Sequence, residues 1–268
     1  MGILNSFCFF ETTNTKYLML ENFYLLLFLF FTIAVLYSSV GFGGGSGYLA
    51  ILALTSLAFI EIRTTALLCN ILVVSGNSYI FQKQKAIVWK KIIPLVLFSI
   101  PFSFLGGKLK ISQSFFFILL GFTLLFAAAS MFISKINSKP LKFKEYKIIN
   151  AGFGSIIGFI SGMVGIGGGV FLAPLLHLTN WDTPKKIAAT ASVFILLNSI
   201  AGLIGQSSNS EFTINWQLTA VLLVTVFIGS QIGNRLRNNY FSPILLKKTT
   251  ALLIAFVGIR ILWKYLFL

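Results

Sequence analysis

Acidic residues are scarce: the 268-residue chain has six Asp and Glu against 21 Lys and Arg, and charged side chains of both signs make up only 10% of it. A water-soluble domain carries about a quarter, so the composition excludes one. Glu11, Glu21, Glu61, Glu145, Asp182 and Glu211 all fall in tails or between apolar runs. No carboxylate is therefore expected inside a span as a proton relay or sodium ligand. Cysteine is nearly absent, with Cys8 in the N-terminal tail and Cys69 in an apolar run, and His177 is the lone histidine. Neither a disulfide scaffold nor a zinc centre can be built from that set, and no metal or cofactor is expected. The first 22 residues contain Glu11, Lys16 and Glu21 and lack the basic-then-apolar order of a cleavable signal, so none is expected.

What is present is apolar. Hydrophobic residues make up 57% of the chain and 29 residues are Phe; the mean hydropathy is +0.91. Apolar runs fall at about 23–40, 47–60, 64–81, 92–107, 113–134, 148–164, 169–178, 186–205, 217–234 and 248–266. Most approach the ~20 residues that a helix needs to cross a bilayer. The runs at 47–60 and 169–178 are too short and read as half-helices.

Each half-helix follows a glycine cluster. Gly41-Phe42-Gly43-Gly44-Gly45 precedes the first and Gly165-Ile166-Gly167-Gly168-Gly169 the second. Tyr48-Leu49-Ala50 answers Phe171-Leu172-Ala173, Thr65-Ala66 answers Thr190-Ala191, Trp89 answers Trp216, and Leu105-Gly106-Gly107-Lys108-Leu109 answers Ile232-Gly233-Asn234-Arg235-Leu236. Common order at a nearly constant offset indicates an internal duplication. Repeat 1 covers about 23–134 and repeat 2 about 148–266, and the segment 135–147, with five Lys and Pro140, links them in a single membrane domain.

The net charge of +15 would suggest nucleic acid in a soluble protein; in a membrane it reports orientation. If each glycine cluster turns a hairpin that starts and ends on one side, each repeat crosses an odd number of times and the repeats are inverted. Lys83, Lys85, Lys90, Lys91, the five Lys of 135–147, Lys185, Lys186, Arg235, Arg237, Lys247 and Lys248 then share one face. Only Lys16, Arg63, Lys108, Lys110, Arg260 and Lys264 lie on the other. Counting every broken segment as one plain crossing separates the charges less well. The expected fold is thus all-α and polytopic: two inverted repeats, each a Gly-rich broken-helix hairpin plus three further spans, with both termini outside and the linker in the cytoplasm. The basic loops would meet anionic lipid headgroups.

Two G-x-G-G-G clusters opening short helices in a duplicated membrane protein resemble the TauE/SafE family of sulfite and sulfonate exporters. Gly165-Ile166-Gly167-Gly168-Gly169-Val170-Phe171-Leu172-Ala173-Pro174-Leu175 looks like the family's commonest form, whereas Gly45-Ser46-Gly47-Tyr48-Leu49-Ala50-Ile51 lacks the proline. The resemblance implies movement, mostly export, of a small sulfur oxyanion or organosulfonate across the inner membrane. It implies no enzyme activity.

Physical chemistry reaches an anion independently. Helix N-termini present unpaired N–H groups at the positive end of a dipole, and broken helices meeting near the midplane are a recurrent transporter plan. The candidate substrate-binding residues are Gly43, Gly44, Gly45, Ser46, Gly167, Gly168 and Gly169, with Thr65, Asn70, Thr190 and Asn198 as further donors. Lys108 and Arg235, at equivalent repeat positions, are candidates for the two pore mouths. A membrane potential negative inside itself drives a monoanion outward, so export by uniport is the simplest mechanism. Two other classes stand beside this. Gly44-Gly45-Ser46-Gly47 also reads as the G-x-S-G nucleophile motif of rhomboid intramembrane proteases, with His177 as its base, and a non-transporting membrane scaffold needs no site at all. Neither glycine cluster sits between a strand and an acidic partner, which excludes a dinucleotide site. Nothing in the sequence sets an oligomeric state.

Overall fold

The computed structural model describes residues 23–55, 57–133, 147–178, 181–210, 212–236 and 243–266. The expected linker, 135–147, lies outside them except for its last residue. Ten helices occur among the described residues: α1 Phe23–Val40, α2 Gly45–Leu52, α3 Phe59–Lys83, α4 Trp89–Lys108, α5 Gln113–Ile133, α6 Lys147–Val164, α7 Gly169–Leu178, α8 Pro184–Ser207, α9 Trp216–Leu236 and α10 Pro243–Leu266. The protein is an all-helical polytopic membrane protein. Helices α1, α3, α4, α8 and α9 are each long and apolar enough to span a bilayer. Large apolar side chains such as Phe28, Leu97, Phe122, Phe126, Val224, Phe227 and Phe256 stand exposed on the outside. In water such a surface would aggregate; in lipid it is solvated.

Glycine stops α1 and α6 in the same way. Beyond Val40 the amides of Gly41 and Phe42 donate back to the carbonyls of Ser38 and Tyr37; beyond Val164 those of Gly165 and Ile166 donate to Ser161. Gly41 and Gly165 adopt φ of 93° and 82°, the left-handed conformation such a cap requires and that a side chain resists. The chain then doubles back. Tyr37 meets Ser46 close to the turn and Phe30 stacks on Tyr48 further along, so α2 returns along α1. The first half-helix is shorter than the apolar run at 47–60 suggested: it ends at Leu52, capped by Ala53, and α3 starts at Phe59. Thr183 and Pro184 open α8, proline fitting the first helical position because its missing N–H is one no helix needs there.

Cross-helix contacts set the directions of the long helices. Gln206 reaches Ile60 and Thr64, Asn70 reaches Ser199, and Ser192 donates to the carbonyl of Gly41, so α3 and α8 run antiparallel. Phe117 stacks on Tyr265 and Gly121 faces Leu262 and Gly258, so α5 and α10 do the same.

Small residues then let backbones touch. Gly154, Gly158 and Gly162 form one stripe of α6, pressed in turn on the carbonyls of Leu95, Ser99 and Ser103 of α4, and Gly229 and Gly233 of α9 press on those of Phe31 and Val35 of α1. Packing of this kind holds helices together where lipid offers no hydrophobic gain. Two larger apolar clusters fill the remaining space: one around Phe30, Tyr48, Ile62, Phe116 and Leu222, the other around Ile92, Leu95, Leu172 and Phe194.

Candidate functional site

The two glycine loops meet in the interior. A Cβ added at Gly45 would lie 2.7 Å from the carbonyl oxygen of Ile166, so the start of α2 touches the loop that precedes α7. Asn70, from the middle of α3, sits between them. It accepts from the Gly45 amide at 3.1 Å and donates to the Ile166 carbonyl at 3.2 Å and to Ser199 Oγ on α8 at 2.9 Å. One buried carboxamide thus ties both loops to both long helices. Gly43 and Gly167 are glycines because Asn70 and Ser199 occupy the places their side chains would need. Gly44, Gly167 and Gly168 have φ of 89°, 80° and 80°, and Gly44 is the N-cap of α2.

The candidate residues separate into groups. Gly43, Gly44, Gly45, Ser46, Gly167, Gly168 and Gly169 are all buried at or beside the junction. Ser46 shares a hydrogen bond of 2.9 Å with Tyr37, so its hydroxyl pairs with a phenol; the side chain of His177 lies outside the described residues. Thr65 pairs with Thr219 of α9 at 3.0 Å. The Oγ1 of Thr190, the residue the sequence pairs with Thr65, is fully buried without a hydrogen bond. Asn198 turns toward α4, donating to Ser99 Oγ at 2.9 Å and to its own Phe194 carbonyl at 2.8 Å, while its Oδ1 has no partner. Lys108 and Arg235 are exposed in the last turns of α4 and α9.

Several polar groups were not among the sequence candidates. Ser161 is buried with an unpaired hydroxyl; Ser199, Ser99 and Ser103 bond across helices. Arg63 and Gln206 are each 2% exposed. Their signal in the sequence is a cation and an amide within otherwise apolar helices, where an idle polar group is costly. Outside the spans, Asp182 bridges Lys91 at 2.9 Å and Lys186 at 3.4 Å. Burial pushes its carboxyl up, but the hydrogen bonds from Lys91 and the Thr183 amide and the two ammonium charges outweigh this and hold it below the usual aspartate value.

Chemically, the junction is two left-handed glycine loops and two helix N-termini joined by neutral hydroxyls and amides. Unpaired amides at helix N-termini favour negative charge; among the described residues no group of three His, Cys, Asp or Glu gathers.

Comparison with known proteins agrees with the membrane reading. A family model described as "Sulfite exporter TauE/SafE" matches residues 26–261. A probable membrane transporter protein of Sinorhizobium fredii is 34% identical over 238 residues, 87% of this chain and 96% of its own length. Similarly described proteins of Methanocaldococcus jannaschii and Bacillus subtilis are 28% and 25% identical, covering 82% and 73% of this chain and 87% and 81% of theirs. No solved structure matches the chain.

Proposed function

The chain belongs to the TauE/SafE family of membrane transporters, and on that footing we propose that it carries a small sulfur oxyanion, sulfite or an organosulfonate, outward across the inner membrane without catalysing a reaction. The observation that carries the reading is the meeting of the two glycine loops, Gly43–Gly45 beside Ile166–Gly169. There the positive ends of α2 and α7 offer anion-binding amides in an interior where lipid excludes water.

In this reading the two halves are inverted copies. The antiparallel course of α3 against α8, and of α5 against α10, supports it, and the basic-residue distribution favours a cytoplasmic side for the 84–88 and 181–183 ends. Asn70 sets the spacing of the loops, its donors being spent on Ile166 and Ser199. The anion is left to backbone N–H groups and to hydroxyls such as those of Thr190 and Ser161, both buried without partners. No carboxylate contributes, so the membrane potential drives export at ~2.3 kcal/mol per charge per 100 mV.

Proteoliposome flux of sulfite, sulfate, thiosulfate and a sulfonate, with and without an imposed potential, tests this. Flux of at least one sulfur anion that rises with an inside-negative potential is expected. Flux that ignores the potential and follows a pH gradient refutes uniport, and no flux of any of the four refutes the substrate class.

A further inference from the structure

Apart from the glycine junction, one cleft opens at the end of the molecule where α3 begins and α4 and α8 end. Phe59, Ile60, Arg63, Lys110, Gln206 and Asn209 line it, together with Leu109, Ile111 and Phe212, and it encloses about 320 Å³ including the part open to solvent. Arg63 is buried to 2% exposure. Its Nη2 donates to the carbonyl of Gly162 at 3.1 Å, its guanidinium lies 5.9 Å from the centre of the Phe116 ring, and its Nε–H has no partner. Among the described residues no carboxylate stands within ion-pair distance. A buried guanidinium with only a carbonyl and a ring for company is costly; a bound anion removes that cost. Gln206 is also 98% enclosed, and although its Nε2 is used by Ile60 and Thr64, its Oε1 has no partner. Lys110, exposed at the rim, donates to Ser210 at 3.4 Å.

The fold does not require this set. Moving by the repeat offset of about 125 residues, Arg63 corresponds to Ala188 and Gln206 to Phe81. At that opposite end Phe81, Ala86 and Ala189 close an apolar cluster. Gly165 is approached by Arg63, whereas its counterpart Gly41 is approached by Phe81 and Ala188. The same backbone position is therefore filled by hydrocarbon at one end and by a cation and an amide at the other.

We infer that the cleft is a second anion site, a vestibule on the face opposite the basic loops, in which the Arg63 guanidinium binds a small oxyanion and Lys110 attracts it. The inference rests on the transporter reading and adds where the anion pauses on the outer side. Full-length protein in proteoliposomes is given increasing sulfite on each face in turn. For sulfite presented at the Lys110 face, Arg63→Gln raises the half-saturating concentration about tenfold to hundredfold. Lys110→Glu, at an exposed position that folds irrespective of Arg63, raises it about threefold, and for the opposite face both stay near wild type. Unchanged half-saturation at the Lys110 face in Lys110→Glu, and in Arg63→Gln where that variant folds, overturns the inference while leaving transport standing. If the wild type moves no anion, the transporter reading fails by itself. The cleft is then judged by sulfite-dependent thermal stabilisation in detergent: a shift in wild type that is lost in Lys110→Glu supports it, and no shift in wild type overturns it.

Discussion

Replacing Asn70 by alanine removes three hydrogen bonds at one stroke, and the structure separates what can be recovered from what cannot. Ser199 keeps its hydroxyl on a helix and can rotate toward its own backbone. The Gly45 amide and the Ile166 carbonyl, both held by Asn70, are buried. Each orphaned backbone group costs about 1–3 kcal/mol, so Asn70→Ala is expected to destabilise the protein by about 2–6 kcal/mol. Asn198→Ala is the internal control. One of its bonds goes to its own helix and the other to Ser99, which also donates to Val96. Its loss should cost about 0.6 kcal/mol, the average for one interhelical bond in a membrane. Reversible unfolding of purified protein in mixed micelles, followed by tryptophan fluorescence, measures both. A gap between the two variants of under about 1 kcal/mol refutes the view that Asn70 is the clamp of the junction. A double-mutant cycle gives the second check: Asn70→Ala and Ser199→Ala must be less than additive, because each removes the same bond.

Gly43→Ala places a methyl on the Asn70 carboxamide and on Val74, so it should cost about 2 kcal/mol or more and abolish flux. Gly152→Ala, which meets nothing within 4 Å, should be neutral or stabilising by up to about 1 kcal/mol; equal thermal midpoints for the two would contradict the packing account. Because Asp182 is held below its unfolded pKa by Lys91, Thr183 and Lys186, its contribution is present above the unfolded value of ~3.9 and is lost as pH falls through the lower folded value. Asp182→Asn should therefore lower stability by about 1 kcal/mol or less at neutral pH, with the difference from wild type vanishing in acid; a difference that grows in acid would show the opposite shift. In a Cys8→Ser background, in which Cys69 is fully buried, an impermeant maleimide should label Lys85→Cys only from the cytoplasm and Lys110→Cys only from outside. Labelling of both from one side of intact cells would remove the topology.

Much of the fold was legible because the bilayer enforces it. Apolar run lengths located the ten helices found among the described residues, and the glycine clusters marked both half-helices. Boundaries slipped where local chemistry misled. Glu61 and Arg63 looked like loop charges ahead of a span at 64–81, yet α3 runs through them from Phe59. Arg63 finds its partner in the Gly162 carbonyl of a helix 99 residues away, and no local pattern reveals such a contact. Symmetry and the helix N-termini single out the glycine loops as the candidate site, but in the sequence Asn70 is only one polar donor among several. At the offset of about 125 residues expected between the repeats stands Ile195, which packs against Gly169 much as Asn70 packs against Gly45. The clamp is thus one-sided, and a repeat argument averages away what distinguishes one copy from the other. Thr65 and Asn198 bond hydroxyls on neighbouring helices, Thr219 and Ser99, and helix rotation, which sets such partners, is not written in composition.

The contacts of α1 with α9 carry a consequence for how the protein is made. Phe31 and Val35 leave the ribosome early, whereas Gly229 and Gly233, which press on their carbonyls, follow about 200 residues later, or about 10–40 s at ordinary synthesis rates of ~5–20 residues per second. Through that interval the first hairpin sits in the bilayer without its final neighbour, held by the Phe30–Tyr48 stack and the Tyr37–Ser46 bond. Insertion and assembly are therefore separate events here, and a nascent chain halted before α9 would leave the Phe31–Val35 face of α1 open to whatever other helix passes.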